Sequence, residues 1–278
     1  MNKTFWKTIR KNEYAIPEGY TAENLAPKLL SCFASPDPEL RDDLAYSILT
    51  EWVDHDFYTY KQIREMMIVL SSNLEIGIGE KDTDSVFLRT FSILALALMI
   101  YHDNNKSFLK ADEVETLLEK GLEYLHAEKD PRGYIQIKGW AHALAHTADL
   151  MLVLAENRHT NIDQHIKILD GIAKKLINST DWVYLHGEDD RLSAVVIAIL
   201  QRNLIELPHI EEWLSSLATP VNGFWKGAWT KEDATRAFFN LRNFLRSLYL
   251  QITREDNLEN KTQLQELMLK TMQSLKAY

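Results

Sequence analysis

Ser35-Pro36-Asp37-Pro38-Glu39-Leu40-Arg41-Asp42-Asp43-Leu44-Ala45-Tyr46-Ser47-Ile48-Leu49 is the stretch from which the fold is read. Its opening supplies a capping oxygen, and Pro38 falls in a first turn, where a missing N–H costs nothing. Leu40, Leu44 and Ile48 then recur at helical spacing, so the segment predicts a helix over 38–53 with one face turned to a core. Working outward, the same period predicts helices at 3–12, 21–34, 59–74, 83–102, 110–128, 139–157, 162–177, 190–206, 208–217, 231–254 and 259–276. Two-residue alternation is almost absent. Ten glycines and seven prolines are few for 278 residues, which also leans towards helices over a turn-rich β fold.

Most connections are short, so successive helices are expected to lie antiparallel. The longer ones, 75–82, 129–138 and 218–230, have no linker composition, and residues 1–278 read as a single all-α domain. Asp37 to Leu49 resembles the second half of a HEAT-type repeat over about a dozen residues. That resemblance implies antiparallel helical pairs stacked into a curved α-solenoid. An independent reason points the same way: one helical pair is too small to bury its own apolar face and must borrow its neighbours'.

The formal charge of −9 disfavours nucleic acid, because an acidic surface repels phosphate at long range. Only a concentrated face of Arg89, Arg132, Lys138 and Arg236 would reverse that. Cys32 is the single cysteine, which excludes an internal disulfide and suits a reducing compartment. Its apolar surroundings read as a structural thiol. No apolar h-region follows the basic N-terminal residues, and the strongest apolar run, Ile93 to Ile100, is shorter than the ~20 residues of a spanning helix. The expectation is a cytoplasmic protein with no membrane segment.

Polar stripes at i, i+4 and i+7 suggest where a site lies. One carries Asp43, Ser47, Thr50 and Asp54; a second carries Ser85, Arg89 and Ser92; a fourth, on the helix predicted at 231–254, carries Arg236, Asn240, Asn243 and Ser247. The third runs from Lys138 through His142 and His146 to Asp149, on a helix whose other faces are apolar. Ser, Asn, Asp and His cost helix propensity, unlike the usual solvent-facing Glu and Lys. These stripes are therefore expected to line a common concave groove, with Arg132 and Trp140 beside the third. The plain alternative is that each is the wet side of an amphipathic helix.

His142 and His146 at i, i+4 could chelate a metal from one helix face, with Asp149 adding an oxygen; such a set would suit Zn or Fe. The metalloprotease signature is excluded, because Ala143 stands where it needs Glu. Without a metal, either histidine could act as a general base oriented by Asp149 or Glu188. Gly187 to Arg191 reads chiefly as helix capping, and Asn222 to Trp229 as an aromatic loop that either closes a groove or packs on the next helix. Phosphate-loop, nucleophile-elbow and dinucleotide signatures are missing.

Lys138-Gly139-Trp140-Ala141-His142-Ala143-Leu144-Ala145-His146-Thr147-Ala148-Asp149, with Asp130, Arg132-Gly133 and Asp189-Asp190-Arg191, resembles a bacterial family catalogued as domain of unknown function 2785. The resemblance implies a helical protein and brings no activity, cofactor or catalytic residue. Two function classes stay open. One is a scaffold binding a polar small molecule, peptide or protein in its groove; the other is a hydrolase or lyase built on His142, His146 and Asp149.

Overall fold

Side-chain caps start several helices where the sequence offers them. Thr21 with Asn24, Thr59 with Gln62 and Asn161 with Gln164 form reciprocal capping boxes, each satisfying two N–H groups that a helix start leaves open. The computed structural model describes residues 1–276, and among these the chain is almost wholly helical. The order is α1 (Lys3–Lys11), α2 (Ala22–Ser31), α3 (Ser47–Asp54), α4 (Tyr60–Asn73), α5 (Ser85–Asn105) and α6 (Ala111–Ala127). A small hairpin follows, β1 (Tyr134–Ile135) and β2 (Gly139–Trp140), antiparallel with Tyr134 opposite Trp140 and Ile135 opposite Gly139. Then come α7 (Ala143–Glu156), α8 (Ile162–Leu176), α9 (Glu188–Arg202), α10 (Leu207–Ala218), α11 (Glu232–Arg254) and α12 (Lys261–Ser274). Ala277 and Tyr278, part of the expected domain, lie outside the described residues.

Two departures from the expected elements matter. Residues Glu39–Tyr46 form a π-helix that runs into α3, so the helix expected over 38–53 begins with a wider turn. The helix expected over 139–157 begins only at Ala143, because Ile137, Gly139 and His142 all have positive φ (72°, 76° and 55°) and break the helical path.

The chain divides into two compact units. The first comprises Met1–Glu113 and Ala127–Val153, and the second Val114–His126 and Leu154–Tyr278. In the first, α5 is the core helix, packed against α3, α4 and the 3-10 turn at Cys32–Ala34. Its length and hydropathy would allow a bilayer span, but 78% of the apolar window is buried inside the protein. In the second, α11 packs against α9, α12 and α8, while α10 packs against α8 and α12. The Cys32 thiol is half-buried, donates to the Lys28 carbonyl at 3.3 Å, and has its pKa raised by burial, so it rests as a thiol.

Candidate functional site

Arg89, Arg132, Lys138, Trp140, His142 and His146 meet where the segment 128–142 and the start of α7 fold onto the start of α5. Arg89, one turn into α5, is fully buried. A buried guanidinium must find acceptors. Its Nε and Nη2 donate to the two oxygens of Glu128 at 2.6 and 3.2 Å, and Nη1 donates to the Ile76 carbonyl and Ser85 Oγ at 3.0 and 2.9 Å. Glu128 also accepts from the Asp130 N–H at 2.9 Å. Asp130, itself buried, takes the Arg132 guanidinium at 2.6 to 3.1 Å and the Asp82 N–H at 3.2 Å. Burial is the largest single influence and works against the Arg132 charge, but the hydrogen bond to Asp130 and the charges of Asp130, Asp82 and Asp84 together outweigh it and raise the Arg132 pKa. Lys138 closes the chain of pairs, its Nζ 2.7 and 2.9 Å from the two oxygens of Asp84.

This network holds the hairpin. Ile135 packs against Val86, Phe87 and Ala141. Gly139 lies so close to the π-helix that a Cβ there would sit 2.7 Å from Pro38 Cβ. From that helix Arg41 reaches across, donating through Nη2 to the Lys138 and Trp140 carbonyls at 2.7 and 3.2 Å and through Nη1 to the Ser35 carbonyl at 2.7 Å. Its guanidinium lies over the Phe87 ring, 4.0 Å from the centroid. Burial lowers the Arg41 pKa to about 10, which still leaves it charged at neutral pH.

His142 occupies the turn into α7, and its carbonyl accepts the first helical N–H of His146 at 2.9 Å. Its ring stacks on Trp140, 4.1 Å between centroids and 23° between planes. His146 Nδ1 lies 3.1 Å from the Thr90 carbonyl. A carbonyl only accepts, so Nδ1 carries the proton and fixes the tautomer. Both imidazoles are buried, 7% and 5% exposed.

The metal set expected of His142, His146 and Asp149 is not assembled. His142 lies ahead of the helix in a left-handed conformation, so the two rings do not share a helix face and meet edge to face at 5.6 Å. Among the described residues no group of three or more His, Cys, Asp or Glu could hold a metal ion. Asp149 lies half-buried on α7 and is one of the charges acting on the Tyr46 phenol, whose pKa burial pushes up to about 12.

In the second unit Arg236 pairs with Glu232 one turn away. Asn240 is buried, accepting the Tyr184 N–H and donating to the Trp182 carbonyl, both at 2.9 Å. Asn243 is half-buried on α11, and Ser247 donates to Asp190. Asn240 therefore clamps a connecting segment in place and is not exposed to a groove, just as Arg89 is enclosed. On the stripe carrying Asp43 and Asp54, both acids are exposed, which is the plain amphipathic reading. Glu188 accepts the His186 N–H at 2.8 Å, which ties the preceding loop to the first turn of α9; the helix start at Gly187 has no side-chain cap. The 222–229 loop packs on α11, with buried Trp225 5.7 Å from Phe238.

Two residues central to this arrangement escaped the sequence reading. Arg41 stands at the same helical phase as Ala45, Ile48 and Trp52, all buried, and an arginine in an apolar stripe signals a buried cation. Glu128, the partner of Arg89, lies 39 residues away and carries no local signal.

The fold and the site together define an all-α protein in which a buried ion-paired loop carries a short hairpin. Its family is shown directly: residues 74–250, from the end of α4 through most of α11, match the model described as protein of unknown function (DUF2785), and the chain belongs to that family. No similar curated protein and no similar solved structure was found.

Proposed function

We propose that the chain is a non-catalytic cytoplasmic binding protein, its helical pairs stacked as a HEAT-like α-solenoid, which presents the 134–140 hairpin to a protein or peptide partner. One observation carries the reading. Ile137, a β-branched residue, sits at the hairpin turn with φ 72° and 86% of its surface exposed. Left-handed backbone costs about 1–2 kcal/mol for such a residue, and exposing its side chain gains nothing. Glycine or asparagine would serve the turn better. Strain of this kind persists where function needs the side chain and the surroundings over-determine it. Tyr134 and Trp140 are exposed beside it, their rings 5.0 Å apart, and Trp140 is backed by His142. A rigid aromatic pair with an aliphatic tip is the composition of an interface hot spot. The single cysteine, kept as a thiol, supports the reducing compartment.

Hydrolase or lyase chemistry at His142, His146 and Asp149 has less support. Both rings are enclosed, and His146 Nδ1 is committed to a backbone carbonyl. The basic residues that would favour nucleic acid, Arg89, Arg132, Lys138 and Arg236, each contact a carboxylate.

Photo-crosslinking in the native cytoplasm tests the binding reading. A benzophenone amino acid at Gln136 should give a discrete adduct, and one at exposed Ile68 of α4 should not. In the background of Ile137→Asn the adduct should vanish while urea denaturation shows stability raised by about 1 kcal/mol. An adduct that survives Ile137→Asn, or none from Gln136, overturns the proposal.

A further inference from the structure

The second unit holds a cavity of about 310 Å³ between α11, the end of α12 and the 3-10 turn at Ala228–Thr230. That is the lower end of the ~300–1,000 Å³ range of small-molecule pockets. Its lining is split by chemistry. Trp229, Phe238 and Leu245 form an apolar wall, continued by Met272 of α12. Arg242 and Arg246, one turn apart on α11, supply the other wall.

Two like charges at i, i+4 repel, and a chain with 40 acidic residues against 31 basic ones has carboxylates to spare. Yet no ion pair or hydrogen bond to another described residue engages either guanidinium. The Arg242 guanidinium instead lies against two rings, 5.6 Å from the Phe239 centroid and 6.0 Å from that of Phe238. Contrast the other unit, where Arg89, Arg132 and Lys138 each have a carboxylate within hydrogen-bond distance. Trp229 and Phe238, 5.3 Å between centroids, leave an aromatic surface beside the paired cations.

We propose that this cavity is a binding site for a small aromatic carboxylate, its carboxylate held by Arg242 and Arg246 and its ring against Trp229 and Phe238. Guanidinium groups match a carboxylate in bidentate geometry, and the neighbouring aromatic wall offers a face against which a ring can lie. The site goes beyond the hairpin reading and shares no residue with it, so either can fail alone.

Isothermal titration calorimetry with 2-naphthoate tests it on the full chain. The wild-type protein should bind at one-to-one stoichiometry. Arg242→Gln and Arg246→Gln should each weaken binding about tenfold or more, as expected for loss of a charge-assisted hydrogen bond. Arg254→Gln, on the exposed last turn of α11, should bind as wild type does, and circular dichroism melts confirm that every variant is folded. 2-Naphthamide, which has the ring without the charge, should bind about tenfold more weakly or worse. Absence of naphthoate binding, equal binding by the Gln variants, or inorganic phosphate binding as tightly as naphthoate would each overturn the assignment.

Discussion

Arg41 and Arg89 are both fully enclosed, yet they keep their charge by different means. Arg89 faces a carboxylate squarely, with two guanidinium nitrogens on the two oxygens of Glu128. Arg41 has only carbonyls and the Phe87 and Phe91 rings, and accordingly its pKa falls under the weight of burial. The two should therefore respond differently to mutation. Arg89→Ala abandons a buried carboxylate, which costs about 3–5 kcal/mol, whereas a conservative pair of changes removes both charges at once. In urea denaturation the double variant Arg89→Met/Glu128→Gln should be less destabilised than the sum of its single variants, with a coupling of about 0.5–3 kcal/mol. Simple additivity would mean that the pair does not hold the loop.

At the scale of elements, the hairpin depends on one backbone position. Gly139 combines φ 76° with a close approach to Pro38, so Gly139→Ala must both strain the backbone and push β2 off the π-helix. A loss of about 1–3 kcal/mol is expected for the strained conformation alone, read as a lowered urea midpoint. This is also where sequence reading went astray. The helix start near Thr59 was legible from the apolar period, and the capping pair of Thr59 with Gln62 agrees with that period locally. Between 134 and 142 they conflict: His142, His146 and Asp149 mimic a helical stripe, while Gly133 and Gly139 bracket a turn that the period hides. The candidate site was legible as a neighbourhood, since Arg132, Lys138, Trp140, His142 and His146 do belong to one folded segment and its continuation. Its electrostatic logic was not, because Arg89 to Glu128 and Arg41 to Trp140 are contacts spanning 39 and 99 residues, and nothing in local pattern encodes them.

For the molecule as a whole, each unit encloses a histidine that burial keeps neutral. In the first it is His102, near Lys106 and Asp56, with its pKa lowered chiefly by burial and further by Lys106, which the acids only partly offset. In the second it is His165, whose Nε2 donates to the Ala155 carbonyl at 3.0 Å and whose Nδ1 has no hydrogen-bond partner in its buried site. Burial, together with the Arg202 charge, depresses its pKa below the usual 6.5. Protonation would place an N–H⁺ where no acceptor waits. Below pH 6.5 the unfolded chain takes up these protons before the folded one does, so the unfolded state binds more protons and stability rises with pH. The stabilising term is complete above pH 6.5 and is lost as the pH falls towards the folded pKa values. Urea midpoints should thus drop between pH 7.5 and 5.5, each histidine contributing at most about 1.4 kcal/mol per pH unit. His165→Gln should remove its share of that slope, and His102→Gln with it should flatten the profile further. A slope unchanged in both variants would show that neither ring is forced to stay neutral, and would move the acid sensitivity to other groups.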